Sequence, residues 1–255
     1  MLKGMYLSAT AALNQAERFD ILSNNLANTN TAGFKPQRPV FAEVLAKATG
    51  ATFNERRLNA LAGANLAAAG DVFTPGDIEY SERVYDLAIV DEGFFVVERD
   101  GRFYYTRAGN FRVGPDGYLV TSDGAAHVLL ENGVPIVAGS SEFEVDSRGF
   151  VTLIDAQNNR QPLGYLWVMR PRQGDYSQMT RHGDNLWRAP AASMERVDDQ
   201  KVMQGALEKS SVSAVHEMTS LISAMRAYEA AFRFVKIQDE ALAQAVSDLA
   251  RPLGA

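Results

Sequence analysis

The chain has 255 residues, 46% of them hydrophobic and 22% charged, with a formal net charge of −6 and no cysteine. It is long for one domain, can bury a sizeable core, and has globular rather than disordered composition. The acidic balance argues against a nucleic-acid partner, and the absence of cysteine excludes disulfides, thiolate metal sites and Cys nucleophiles.

The first element is a helix. Met5, Ala9, Ala12, Ala16, Phe19, Ser23 and Leu26 recur at steps of 3 and 4, with Leu13 beside them. A stripe of period near 3.5 keeps facing a partner helix. Lys3 and Ala9-Thr10-Ala11 superficially resemble a secretory signal, but Gly4 to Ser8 is too short for an apolar region of about 7–15 residues. If the protein leaves the cytoplasm, the expectation is that it does so without a cleaved signal peptide. No segment reaches the roughly 18 apolar residues of a membrane span, so no membrane insertion is expected.

The helix should stop in the run Asn24 to Phe34, where Asn and Thr side chains compete for backbone hydrogen bonds and Gly33 offers a left-handed stop. Pro36 and Pro39 oppose its resumption. Residues 34–76 read as a linker or irregular arm. Within it Phe41, Val44, Leu45 and Ala48 fit the apolar face of a short helix.

Residues 77–200 read as a β-rich domain. Of the 20 glycines, 18 lie between Gly33 and Gly205, as do 8 of the 9 prolines. Asp100-Gly101, Asp116-Gly117, Asp123-Gly124 and Asn132-Gly133 suit type I′ hairpin turns. Runs such as Phe94–Val97, Phe103–Thr106, Tyr118–Thr121, Val128–Leu130 and Phe150–Ile154 suit short strands between them. This spacing favours an antiparallel barrel or sandwich over a parallel sheet, which needs crossover helices.

Residues 201–255 read as an extended segment followed by a long helix. From Ala206 to Arg251 there is neither Gly nor Pro, and Met218, Leu221, Met225, Tyr228, Phe232, Val235, Leu242 and Val246 lie at steps of 3 and 4, with Asp239 as the one break. Met225 and Phe232 are the residues expected at the helix–helix contact. The fold class that results is α+β, with N- and C-terminal helices pairing as a coiled coil around a central antiparallel β-rich domain.

Catalytic motifs are not found. His127, His182 and His216 lie far apart, without zinc-motif spacing. There is no G-x-S-x-G elbow, P-loop or dinucleotide fingerprint, and no cofactor is implied. The crowded carboxylates Asp71, Asp77, Glu79, Glu82 and Asp86 read as solvated loop residues rather than an acid/base pair. Phe94, Phe95, Phe103, Tyr104 and Tyr105 read as β-core rather than a ligand platform.

Four ordered blocks carry a family resemblance. The stretch Leu22 to Phe34 resembles the N-terminal signature of bacterial flagellar rod and hook proteins. Asp86-Leu87-Ala88-Ile89 with Gly93 to Val97 follows, then Tyr105 to Phe111 leading to Gly117 to Thr121. Gln204 to Val212 with Arg226-Ala227-Tyr228-Glu229-Ala230 is the last. Length and the pattern Val128-Leu129-Leu130 with Gly133 to Ile136 are most similar to the proximal rod subunit, and Gly33-Phe34-Lys35 with Arg38 would suit the distal one. Ser81-Glu82, Val84-Tyr85 and Ser211 depart from the usual pattern.

The resemblance implies a non-enzymatic subunit that stacks helically into the hollow drive shaft of the flagellar basal body, in the periplasm. Its partners would be copies of itself, neighbouring rod proteins and, during secretion, the flagellar type III export apparatus. Phe41 and Leu45 resemble the element that docks on the export gate, a reading that stands beside the apolar-face one. From another class, a secreted cell-wall hydrolase is the alternative; it would need paired carboxylates or a His-Asp-His site in a cleft.

Overall fold

The computed structural model describes residues 2–42, 65–139, 142–155, 157–183 and 185–249. They form an α+β chain with two helices and a central antiparallel β-rich region. The chain divides into two compact units, one of residues 1–27, 36–72 and 212–255, the other of residues 28–35 and 73–211.

The first unit is built on helix α1 (Leu2–Ala27) and helix α2 (Ala214–Leu249), which pack against each other. Asn25, one turn from the end of α1, donates to Glu217 in the first turn of α2 (3.4 Å), so the two run antiparallel. The expected stripes and the observed contact differ by one residue of azimuth. On α2 the face turned inward carries Glu217, Leu221, Ala224, Ala231, Val235, Gln238 and Leu242, all buried or half-buried. Leu221, Val235 and Leu242 belong to the expected stripe. Met218, Met225 and Phe232 do not face α1; they stay exposed, Phe232 at 58%. The physical reason is size, because Ala224 and Ala231 let two backbones approach more closely than Met or Phe would.

On α1, Ala12 and Leu22 are buried, Ala9, Ala16 and Leu26 are half-buried, and Leu13 and Phe19 face solvent. Polar groups share the inward side, including Gln15 and Arg18. The strands Gln37–Ala42 and Asn65–Asp71 complete the unit as an antiparallel pair with a register shift between Val40 and Phe41. Phe41 therefore lies in a strand, not a helix. The rest of the expected helix, Leu45 included, falls outside the described residues. Pro39 is tolerated because this two-stranded sheet has edges on both sides.

The second unit holds the main core. Its largest sheet centres on the hairpin Phe94–Arg99 and Arg102–Thr106. The turn Asp100-Gly101 has positive φ at both residues (53° and 71°), as a type I′ turn requires. At the other three turn dipeptides only the glycine is left-handed. There the Asp or Asn side chain accepts a backbone N–H two residues on, from Tyr118, Ala125 and Val134. These are Asx-type turns rather than I′ turns.

A three-stranded sheet (Glu142–Val145, Phe150–Ile154, Arg160–Tyr165) and the pairs Val202–Gln204 with Leu87–Ile89 and Ala206–Glu208 with Ile78–Tyr80 complete the unit. All observed pairings are antiparallel. Phe95, Phe111, Leu119, Leu129, Ile136 and Trp187 are fully buried, each contributing roughly 1.5–3 kcal/mol by area removed from water. Phe94, Tyr104 and Tyr105 join that core, whereas Phe103 stays exposed against Trp167.

Candidate functional site

Parts of all four sequence blocks, residues 28–34, 86–97, 105–121 and 204–211, belong to the second unit. Residues 28–35, which leave α1, lie against the β-structure there. Gly33 is left-handed (φ 63°), and its N–H donates to the Glu208 carbonyl (2.7 Å). A Cβ at Gly33 would sit 2.3 Å from the Arg107 backbone, so only glycine fits. The helix itself ends six residues earlier, at Ala27, so Gly33 serves docking rather than termination.

Lys35 follows and is fully buried. Its Nζ lies 2.6 Å from Glu208 Oε1 and donates to the Thr74 carbonyl at 2.6 Å. Glu208 Oε1 also accepts the Gly76 N–H (2.8 Å), and Arg107 Nη1 lies 3.3 Å from Glu208 Oε2. Arg107 in turn donates to the carbonyls of Ile89 (3.0 Å) and Asp91 (2.7 Å). One carboxylate thus faces two cations in a dry interior. Burial pulls the Lys35 ammonium below its ordinary value, opposed by attraction to Glu208, and burial lowers Arg107 likewise. Lys35 and Arg107 donate to carbonyl or carboxylate oxygens, as buried charges must, while Glu208 Oε2 makes no hydrogen bond and has the Arg107 charge beside it.

Backbone packing around this cluster is equally tight. A Cβ at Gly109 would lie 1.6 Å from the Leu87 carbonyl oxygen, and the Leu87 N–H donates to the Gly109 carbonyl (3.0 Å). Gly205 donates to the Asp86 carbonyl, and the Gln204 side chain donates to the carbonyls of Val84 and Phe143 while accepting the Val145 N–H. Arg181 covers Phe34 and Trp187 as a cation–π plate and bonds the Lys35 carbonyl. Asn185 bonds the Ala32 carbonyl. Sequence reading met Lys35 only within the Gly33-Phe34-Lys35 pattern and Glu208 only within the last block, not as partners, because their separation of 173 residues leaves no local signal.

The arrangement holds separate chain segments together. The carboxylates considered for acid/base work are dispersed in role: Glu79 pairs with Lys209 (2.9 Å), and Asp86 is buried with Arg83 3.8 Å away. His127 bonds Asp116 (3.1 Å), His182 stacks on Tyr104 (4.9 Å), and His216 is exposed at the start of α2. Among the described residues no three His, Asp or Glu side chains are placed to hold a metal ion, and no helix is long and apolar enough to cross a membrane.

The expected interface residues distribute along α1 and α2 as given above; Tyr228 is 41% exposed and stacks on Phe232 (6.3 Å). The side chain of Val246 is outside the described set. Among the described residues, ten of the seventeen exposed large hydrophobics lie on these two helices, including Leu13, Ile222, Phe234 and Ile237.

Comparison with known proteins agrees with the blocks. Residues 5–35 match the family model for the flagella basal body rod protein. Residues 88–153 match the D1 domain of the flagellar hook protein FlgE/F/G, and residues 203–248 the C-terminal region of the flagellar basal body rod FlgEFG protein. The flagellar basal-body rod protein FlgF of Caulobacter vibrioides is 32% identical over 98% of this chain and 99% of its own length. FlgG of Bacillus subtilis is 29% identical over 97% and 99%, and FlgF of Salmonella typhimurium 30% identical over 92% and 94%. The chain belongs to the flagellar basal-body rod protein family.

Proposed function

We propose that this chain is a structural subunit of the bacterial flagellar basal-body rod, and that it polymerises through its two helices. The observation that carries this reading is the helix pair, whose inward faces carry Ala12, Leu22, Leu221, Ala224, Ala231 and Val235 while Met218, Met225, Phe232 and Phe234 stay exposed. An outward apolar stripe on a long helix is stabilised only when another surface covers it. Copies repeated by a head-to-tail contact that does not close would build an open filament. Neighbouring helices would then form a coiled-coil wall in which the exposed residues become the buried ones. The role is architectural and needs no cofactor.

The test is Phe232→Asp in a motile strain. The variant should be produced and secreted normally with its β-rich unit folded, but rods should be absent and cells non-motile. Wild-type swimming at normal expression would overturn the reading.

Within the family, the proximal rod subunit is our assignment, resting on length and on the Val128–Leu130 and Gly133–Ile136 pattern. Export through the type III apparatus, with Phe41 and Leu45 as the docking element, is a further part of the proposal. Replacing both with Ala should make subunit accumulate inside the cell. Normal secretion followed by failed assembly would limit the stretch to packing.

A further inference from the structure

The path of the chain between its two units sets a mechanical problem. It passes from one to the other after Ala27, after Lys35, after Val72 and after Ser211. Three of those crossings lie within a few residues of the buried charge cluster. Lys35 is the last residue before one crossing, Thr74 is the second residue after another, and Glu208 lies three residues before the last. Lys35 Nζ touches both of the others, at 2.6 Å each. Backbone bonds run in parallel with these contacts: Ser211 N–H to the Phe34 carbonyl (3.3 Å), Gly33 N–H to the Glu208 carbonyl, and Lys209 N–H to the Asp77 carbonyl (2.8 Å).

A buried ion pair of this kind adds little stability over a well-packed apolar pair, yet it is satisfied in only one register. Residues 28–35 carry two Asn and two Thr and bury only their last residues, Gly33 to Lys35. Apolar burial alone therefore holds this segment weakly. The ionic contacts are what can hold it in a single position.

We propose that Lys35, Glu208 and Arg107 form a conformational clamp that ties three chain crossings to one point of the β-rich unit. Force applied at the root of α1 or of α2 then enters that unit at a fixed joint instead of peeling residues 28–35 or 73–76 away. Lys35 is a positioning residue, acting through Glu208. The clamp is a property of the single chain; its use in transmitting torque rests on the rod reading.

The experiment is amide hydrogen exchange on the full-length secreted subunit, comparing wild type with Lys35→Met and Lys35→Arg. Met keeps length and apolar bulk but loses the charge; Arg keeps charge and reach. In Lys35→Met, exchange at Gly33, Gly76 and Lys209 should rise at least about tenfold, while the amides of Phe94–Arg99 stay as protected as in wild type. Lys35→Arg should restore most of the lost protection. Unchanged exchange at those three amides in Lys35→Met, or a uniform rise that includes Phe94–Arg99, would overturn the clamp, as would Lys35→Arg behaving like Lys35→Met. In cells, Lys35→Met should assemble rods yet lose swimming in viscous medium first, and equal swimming at all viscosities would remove the mechanical role. A strain lacking the whole gene that still swims would instead overturn the rod reading.

Discussion

The β-rich unit and the helix pair spend their large apolar side chains in opposite ways. In the β-rich unit Phe94, Phe95, Phe111, Leu129 and Trp187 are inside, and the exposed strand positions are mostly polar. In the helix pair Ala12, Ala224 and Ala231 are inside, and Phe19, Met225, Phe232 and Ile237 are outside. One unit satisfies itself. The other leaves Met225, Phe232 and Ile237 exposed for something else to cover, which suits the proposed rod assembly.

The sharpest way to break that contrast is a matched pair of substitutions. Phe95→Ala removes a fully buried ring and should cost the monomer about 3–5 kcal/mol of stability, read by denaturant unfolding. Phe232→Ala, at 58% exposure, should change monomer stability by less than about 0.5 kcal/mol while weakening assembly. A large monomer effect at Phe232 would mean that the outward stripe already has an intrachain partner.

Glu208→Ala should be nearly as damaging as the core substitution. It strands the Lys35 and Arg107 charges and deprives the Gly76 N–H of its acceptor, a loss of about 3–5 kcal/mol. Thermal unfolding of the secreted monomer measures it, and an unshifted transition would show that solvent reaches the cluster.

Ala224→Leu tests the narrow helix contact. Extra methylenes at a fully buried alanine should cost about 1–3 kcal/mol through overpacking. Loss of helical circular dichroism would report it, while the neighbouring Met225→Leu leaves the signal unchanged. Equal effects at the two positions would erase the inward–outward distinction.

The smallest expected effect is electrostatic. The His127 hydrogen bond holds the Asp116 carboxyl below its ordinary value of 3.8. Since its folded value is depressed, its stabilisation is present above the unfolded value and is lost as pH falls through the folded one. Asp116→Asn should therefore lower the melting temperature slightly near neutrality, and the difference from wild type should vanish as pH falls through the folded value, so that the acid limb flattens. An unaltered acid limb would assign no stability to the contact.

Much of the fold was legible because it is local. Strand-forming runs separated by Asp-Gly and Asn-Gly, and Gly- and Pro-free termini with 3–4 periodicity, identify the element types before any contact is known. Turn geometry was only partly legible. Asp100-Gly101 is type I′, whereas Asp116, Asp123 and Asn132 use their side chains to cap backbone N–H groups, a choice set by the surrounding register. The strand Gln37–Ala42 was not legible, since Pro39 within it and Pro36 just before it oppose the ladder and only pairing with Asn65–Asp71 supplies it.

Sequence by itself determined the element types, the family blocks and the spacing of the helical stripe, since these follow from residue chemistry at short range. Tertiary structure alone decided which of two adjacent stripes is the contact. Leu221, Val235 and Leu242 fit both, and periodicity sets a spacing without setting an azimuth. Hydrophobicity favours Met225 and Phe232, while close approach of two helices favours Ala224 and Ala231. Likewise Lys35 and Glu208 are individually unremarked charges. Only the fold, by removing water from both, makes one the partner of the other.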